Sequence, residues 1–177
     1  ILMVCPAPPR SLKGNRVTTL RWARLLRELG HRVSIREEYD GSSYDLMIAL
    51  HARKSADAVR QFAKQHPQLP IVVALTGTDL YRDIRTSRRA QRSLDLSTRL
   101  VILQDRGLDE LKPVHRPKTR VILQSAERTR GTPSKVRVRA KRSFKVCVIG
   151  HLRYEKDPLR TAMATRLLPD ESRIHVV

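Results

Sequence analysis

The stretch Leu46-Met47-Ile48-Ala49-Leu50-His51-Ala52-Arg53-Lys54-Ser55 decides the fold. Five consecutive apolar residues are short enough for a strand buried on both faces. His51 ends the run, and residues from about 55 to 65 read as a helix that Pro67 closes. A second apolar run, Ile71-Val72-Val73-Ala74-Leu75, follows directly. Strand, helix and strand in that order make a crossover unit, which pairs its two strands in parallel.

The same pattern continues on either side. Ile1-Leu2-Met3-Val4-Cys5 is another unbroken apolar run. Residues 18–29 place Leu20, Ala23, Leu26 and Leu29 on one helical face, with Arg21, Arg24, Arg27 and Glu28 mainly opposite and Gly30 as the stop. Val33 and Ile35 alternate as a strand within 31–36. Further on, 85–94 reads as a helix, 100–103 as a strand, 105–111 as one or two helical turns and 120–123 as a sixth strand. Six strands alternating with helices predict an α/β fold with a parallel sheet covered on both faces. Ligands of such sheets bind beyond the carboxyl ends of the strands. The loops 6–15, 51–54, 76–81, 104–107 and 124–126 are therefore where a site is expected.

Composition narrows the function classes. A hydrophobic fraction of 40% excludes a disordered chain. No apolar run approaches the roughly 18 to 20 residues of a membrane span. Pro6, Pro8, Pro9 and Arg10 follow the first five apolar residues too soon for a secretory leader. The chain opens on Ile1 instead of Met, so residues are expected to precede it. Cys5 and Cys147 both sit in apolar runs and are expected to be buried, reduced strand residues of a cytoplasmic protein. Thirty-six basic against seventeen acidic residues give a net charge of +19. A charge this high implies polyanionic partners, either nucleic acid or phosphorylated small molecules, unless most of it simply faces water. Phe62, Phe144, Trp22 and four tyrosines are scattered, so no stacking platform or nucleic-acid module is visible.

Composition also divides the chain. Residues 1–127 read as one Rossmann-like domain. Residues 128–143 read as a basic linker or mobile loop, with Gly131 and Pro133 and no acidic side chain. Residues 144–177 restart the pattern as strand 144–149, Gly150, helix 157–168 and strand 174–177, the expected opening of a second domain whose remainder lies elsewhere.

Several strand-end loops carry polar residues suited to anions. Gly14 lets a ligand approach the backbone at a helix amino terminus, and Lys13 and Arg16 add charge beside it. An ordinary strand-to-helix loop would look the same. His51 could hydrogen-bond an anion or act as general acid or base, or it could be structural. In Thr76-Gly77-Thr78-Asp79, the glycine permits a tight turn and Asp79 suits either a helix cap or a ligand hydroxyl. Gln104 and Gln124 each follow the word Ile-Leu and are expected to point into one crevice. In the second domain, Gly150-His151-Leu152-Arg153-Tyr154-Glu155-Lys156-Asp157-Pro158 supplies Arg153 and Lys156, which suit a diphosphate leaving with negative charge.

Gly14-Asn15-Arg16, Thr76-Gly77-Thr78-Asp79 and Gly150 through Pro158 together resemble the retaining glycosyltransferases of family 4. That resemblance implies a GT-B fold of two Rossmann-like domains. Within that family, Cys5 through Thr18, Ala49 through Ala56, Ala74 through Tyr81 and Gly150 through Arg153 are most similar to the selenosugar synthases of selenoneine biosynthesis. The resemblance implies transfer from a UDP-sugar, UDP-N-acetylglucosamine or UDP-glucose, to selenophosphate. It places Gly14, Asn15, Arg16, His151, Arg153 and Lys156 at the donor and its diphosphate. It places Lys13, Arg53, Thr76, Gly77, Thr78 and Gln104 at selenophosphate, with His51 and Asp79 in catalytic roles. No metal or other cofactor is implied, and no specific nucleic acid. Two departures stand out. His151 follows Gly150 where the family usually has Arg, and the family's paired-glutamate segment is not in this chain. Two other functions stay open: a family 4 enzyme with a hydroxyl acceptor, and a non-catalytic module that binds nucleic acid through charge.

Overall fold

The computed structural model describes residues 1–125, 144–150, 157–169 and 171–176. The chain divides into two compact units, Ile1–Ala126 and Glu127–Val177. The expected linker 128–143 lies outside the described residues.

The first unit is a Rossmann-like α/β sandwich around a six-stranded sheet. Its strands are β1 (Leu2–Val4), β2 (Ser34–Arg36), β3 (Met47–Leu50), β4 (Ile71–Ala74), β5 (Arg99–Ile102) and β6 (Thr119–Val121). They lie in the order β2-β1-β3-β4-β5-β6, and every pairing is parallel. The central register sets Leu2 against Met47 and Met47 against Ile71. The three central strands, β1, β3 and β4, are unbroken apolar runs because both faces are covered. Helix α1 (Gly14–Glu28) joins β1 to β2, while α2 (Ala56–Gln65) joins β3 to β4. The two crossovers run in opposite directions from the centre, so their common right-handedness sends the helices to opposite faces. The cores agree: Met3, Ile48, Leu50, Ala74 and Val101 pack with Ala23 of α1. Leu2, Val4, Met47, Val73 and Leu100 pack with Val59 and Phe62 of α2. Burying a side chain the size of Phe62 contributes about 1.5–3 kcal/mol.

Each helix has its own start and stop. At the end of α1, Gly30 takes φ +90°, its N–H donates to Arg27 O at 2.9 Å, and His31 N–H donates to Leu26 O at 3.0 Å. This doubly bonded left-handed stop needs the glycine. The inward face of α1 differs from expectation. Thr19 and Ala23 are fully buried and Leu26 partly, whereas Leu20 is 47% and Leu29 74% exposed. The small side chains at 19 and 23 let the helix lie close to the sheet, which turns Leu20 outward, and Leu29 is the C-cap. After β4, a wide π-helical turn (Asp79–Asp83) runs into α3 (Ile84–Thr86), and α4 (Arg88–Leu96) follows. The single helix expected over 85–94 is thus broken at Ser87, whose hydroxyl caps α4 by accepting from Ala90 N. A 3-10 turn at Pro113–Lys118, not foreseen from periodicity, leads into β6.

In the second unit, β7 (Phe144–Val146) pairs in parallel with β8 (Ile174–Val176), and α5 (Arg160–Ala164) lies between them in sequence. Cys5 is buried as expected, but Cys147 is exposed, because β7 ends one residue before it.

Candidate functional site

Strand order sets where ligands of this sheet belong. From β1 the chain builds outward to β2, and from β3 it builds the other way to β6, so connections diverge between β1 and β3. Diverging loops leave a crevice at the carboxyl ends of those two strands. Loop 51–55, directly after β3, borders it and is held at almost every residue. His51 N–H donates to Ala74 O at 2.8 Å, Ser55 N–H to His51 O at 3.1 Å, and the Ser55 hydroxyl to Leu50 O at 2.7 Å. Ala52 O accepts from the Ser93 hydroxyl at 2.8 Å. His51 itself has φ +73°, a left-handed conformation costly for a side chain of this kind. Such strain persists only where surrounding contacts enforce it, and it concentrates at functional loops.

His51 is 3% exposed, and its ring faces two carboxylates. Nδ1 lies 3.4 Å from the Lys54 N–H and accepts from it, so Nε2 carries the proton and donates to Thr78 Oγ1 at 3.2 Å. Asp79 Oδ2 lies 3.9 Å from Nδ1, and Asp83 Oδ2 lies 3.9 Å from Nε2. Burial drives the His51 pKa below its ordinary value, helped by Lys54 and Arg53, while Asp79 and Asp83 pull the other way. The neutral ring that results is a hydrogen-bonding spacer between two loops.

Asp79 is fully buried and holds backbone. Its Oδ1 accepts from Thr76 N–H at 2.9 Å and Gly77 N–H at 3.0 Å, and its Oδ2 accepts from Ala52 N–H at 2.9 Å. The carboxylate thereby ties the loop after β4 to the loop after β3. Gly77 has φ +139°, which only glycine adopts readily. Of the two residues expected to be catalytic, both are present in one cluster, and both are beneath the surface in positioning contacts.

Asp83 belongs to this cluster and was not singled out from sequence. It is 6% exposed, and its Oδ2 accepts from Arg53 Nε at 2.7 Å while Oδ1 accepts from Arg82 Nε at 3.3 Å. Burial pushes this carboxyl up, but the hydrogen bonds from Arg53 and Arg82 and the charge of Arg53 outweigh it and hold the pKa low. The readable signal was the four-residue spacing from Asp79, which puts both carboxylates on one side of a helical turn.

The structure brings His51, Arg53, Thr76, Gly77, Thr78, Asp79 and Asp83 together. Gln104 joins their edge through its amide, which donates to the hydroxyl of Tyr81 on the π-helical turn. Gln124 does not share that contact and donates instead to Thr18 Oγ1 on α1 at 3.1 Å. Lys13, Gly14, Asn15 and Arg16 stand at the start of α1 after β1, and among the described residues no hydrogen bond or ion pair links them to the His51 cluster. The Nε of Arg16 is buried without a hydrogen-bond partner. His151, Arg153 and Lys156 lie outside the described residues. A cleft of about 390 Å³ bordered by Glu37, Glu38, Lys54, Asp57 and Arg60 is separate from the cluster, touching the loop only at Lys54 and Ser55.

Neither known protein families nor curated proteins match this chain. Among the described residues, no group of His, Cys, Asp and Glu is arranged to hold a metal ion. Among the same residues, no helix is long and apolar enough to cross a membrane.

Proposed function

We propose that this chain belongs to a GT-B glycosyltransferase that transfers a sugar from a UDP-sugar to selenophosphate. The supporting observation is positional. Within the first unit, the segments that resemble family 4 glycosyltransferases fall at the carboxyl ends of β1, β3 and β4, the edge where a parallel sheet of this order receives ligands. Both reactants are phosphorylated anions, and Lys13, Arg16 and Arg53 stand at that edge.

In this reading the selenium of selenophosphate attacks the anomeric carbon. The carbon–selenium bond forms as the bond from that carbon to the diphosphate oxygen breaks, and the electron pair leaves on UDP. Water then cleaves the selenium–phosphorus bond and releases phosphate. Selenium is already strongly nucleophilic, so positioning and charge neutralisation matter more than a dedicated base. The buried, neutral His51 suits that division of labour: its Nε2–H donates to Thr78 Oγ1 and helps hold the loop after β4. By the resemblance, Arg153 and Lys156 would take the departing diphosphate.

The test is UDP release from UDP-N-acetylglucosamine or UDP-glucose by the intact protein, with selenophosphate and then with hydroxyl acceptors. Release with selenophosphate supports the reading. Release only with hydroxyl acceptors replaces the acceptor. Absence of release together with absence of any UDP-induced rise in melting temperature overturns it.

A further inference from the structure

The Arg53 side chain is 44% exposed, yet its base is fixed. The loop beneath it is bonded at His51, Ala52 and Ser55 to β4, Asp79, Ser93 and Leu50, so the backbone leaves the side chain only its own rotamers. Asp83 removes those by accepting from Nε at 2.7 Å. Among the described residues, the two terminal nitrogens of the guanidinium have no partner. A guanidinium gripped at Nε presents its terminal N–H groups as a planar fork, the geometry that pairs with two oxygens of a phosphoryl group.

We propose that Asp83 is a positioning residue that orders Arg53 before ligand arrives, so that Arg53 forms a phosphoryl-binding fork beyond the carboxyl end of β3. The identity of the ligand as selenophosphate rests on the function proposed above, while the anion site itself does not. Asp83 is suited to this role because it is buried and therefore cannot follow Arg53 into solvent. The same carboxylate also accepts from Arg82 Nε at 3.3 Å. Ordering completed during folding is not lost again on binding, which is how a pre-set fork gains affinity over a mobile one.

Inorganic phosphate and UDP, titrated separately into the intact protein at fixed ionic strength, distinguish positioning from simple charge. Asp83→Asn removes a negative charge beside the site. If charge alone attracts phosphate, this variant binds it more tightly. If Asp83 positions Arg53, phosphate binding weakens about tenfold. Arg53→Lys keeps the charge but not the fork and is expected to lose about the same factor. In an Arg53→Ala background, Asp83→Asn is expected to change nothing further. Tighter or unchanged phosphate binding in Asp83→Asn, or an equal loss without Arg53, overturns the proposal, as does a wild-type protein that binds no phosphate. Should Asp83→Asn fail to fold, wild-type phosphate affinity in Arg53→Lys overturns it by itself. Absence of UDP binding with the phosphate pattern intact refutes the glycosyltransferase reading and leaves this site standing.

Discussion

Replacing Asp79 by asparagine exchanges one oxygen for an amide nitrogen at almost constant volume, so the effect can be worked from three hydrogen bonds. One oxygen serves Thr76 and Gly77, and the other serves Ala52. With the asparagine carbonyl toward Thr76 and Gly77, its NH2 group meets the Ala52 N–H, donor against donor. Flipping the amide restores Ala52 and orphans the other two. The better orientation leaves one buried N–H unpaired, at about 1–3 kcal/mol, and turns two charge-assisted bonds into neutral ones. Removing a buried charge returns part of its desolvation cost, which offsets some of that loss. The net expectation is about 2–3 kcal/mol out of a total stability of about 5–15 kcal/mol. For a unit of this size that lowers the melting temperature by about 8–15 °C. Urea unfolding followed by Trp22 fluorescence measures it, since Trp22 packs against the core on the α1 face. A shift under about 0.5 kcal/mol would show that Asp79 is not what joins the two loops.

Stability should also depend on pH through the two buried histidines. Burial lowers the pKa of both His51 and His115, against the pull of nearby carboxylates. Each therefore binds fewer protons folded than unfolded. Their stabilisation is complete above the free imidazole value of about 6.5 and is lost as pH falls through their folded values, by up to about 1.4 kcal/mol per pH unit for each. Melting temperatures from pH 8 to 5 should fall at the acid end and fall less in His115→Gln; a flat profile contradicts both assignments. Gly77→Ala meets no atom within 4 Å of the added carbon, so its cost is backbone strain alone at φ +139°, about 1–3 kcal/mol. Gly14→Ala has the same open space and no unusual φ, and it should be close to neutral. Equal effects of the two on urea midpoints would rule out strain as the reason for glycine at position 77.

The central strands were legible because each is a short apolar run between polar loops and β2 because Val33 and Ile35 alternate, and the observed bounds differ by only one to three residues. Helix α2 was legible for a similar reason, since Pro67 marks its end. The inward face of α1 was not. Its periodicity fits Leu20 and Leu29 as readily as Thr19 and Ala23, and only close approach to the sheet favours the smaller pair. In the site, His51, Arg53 and Asp79 stood out by their place after a strand. Asp83 did not, because one aspartate in a charged helical stretch looks like a solvated surface residue until its burial is known.

Local pattern alone determined that this is a parallel α/β chain and that its loops 51–54 and 76–81 follow strand ends. Apolar run length and helix stops depend on near neighbours, so they are readable along the chain. Tertiary structure decided that β1 and β3 are adjacent and that the loops after β3 and β4 are tied through Asp79. It also decided that Asp83 holds Arg53 from thirty residues away. Those outcomes depend on which buried donors find acceptors once the sheet has assembled, and unpaired partners in a dry interior cost too much for the loops to settle otherwise.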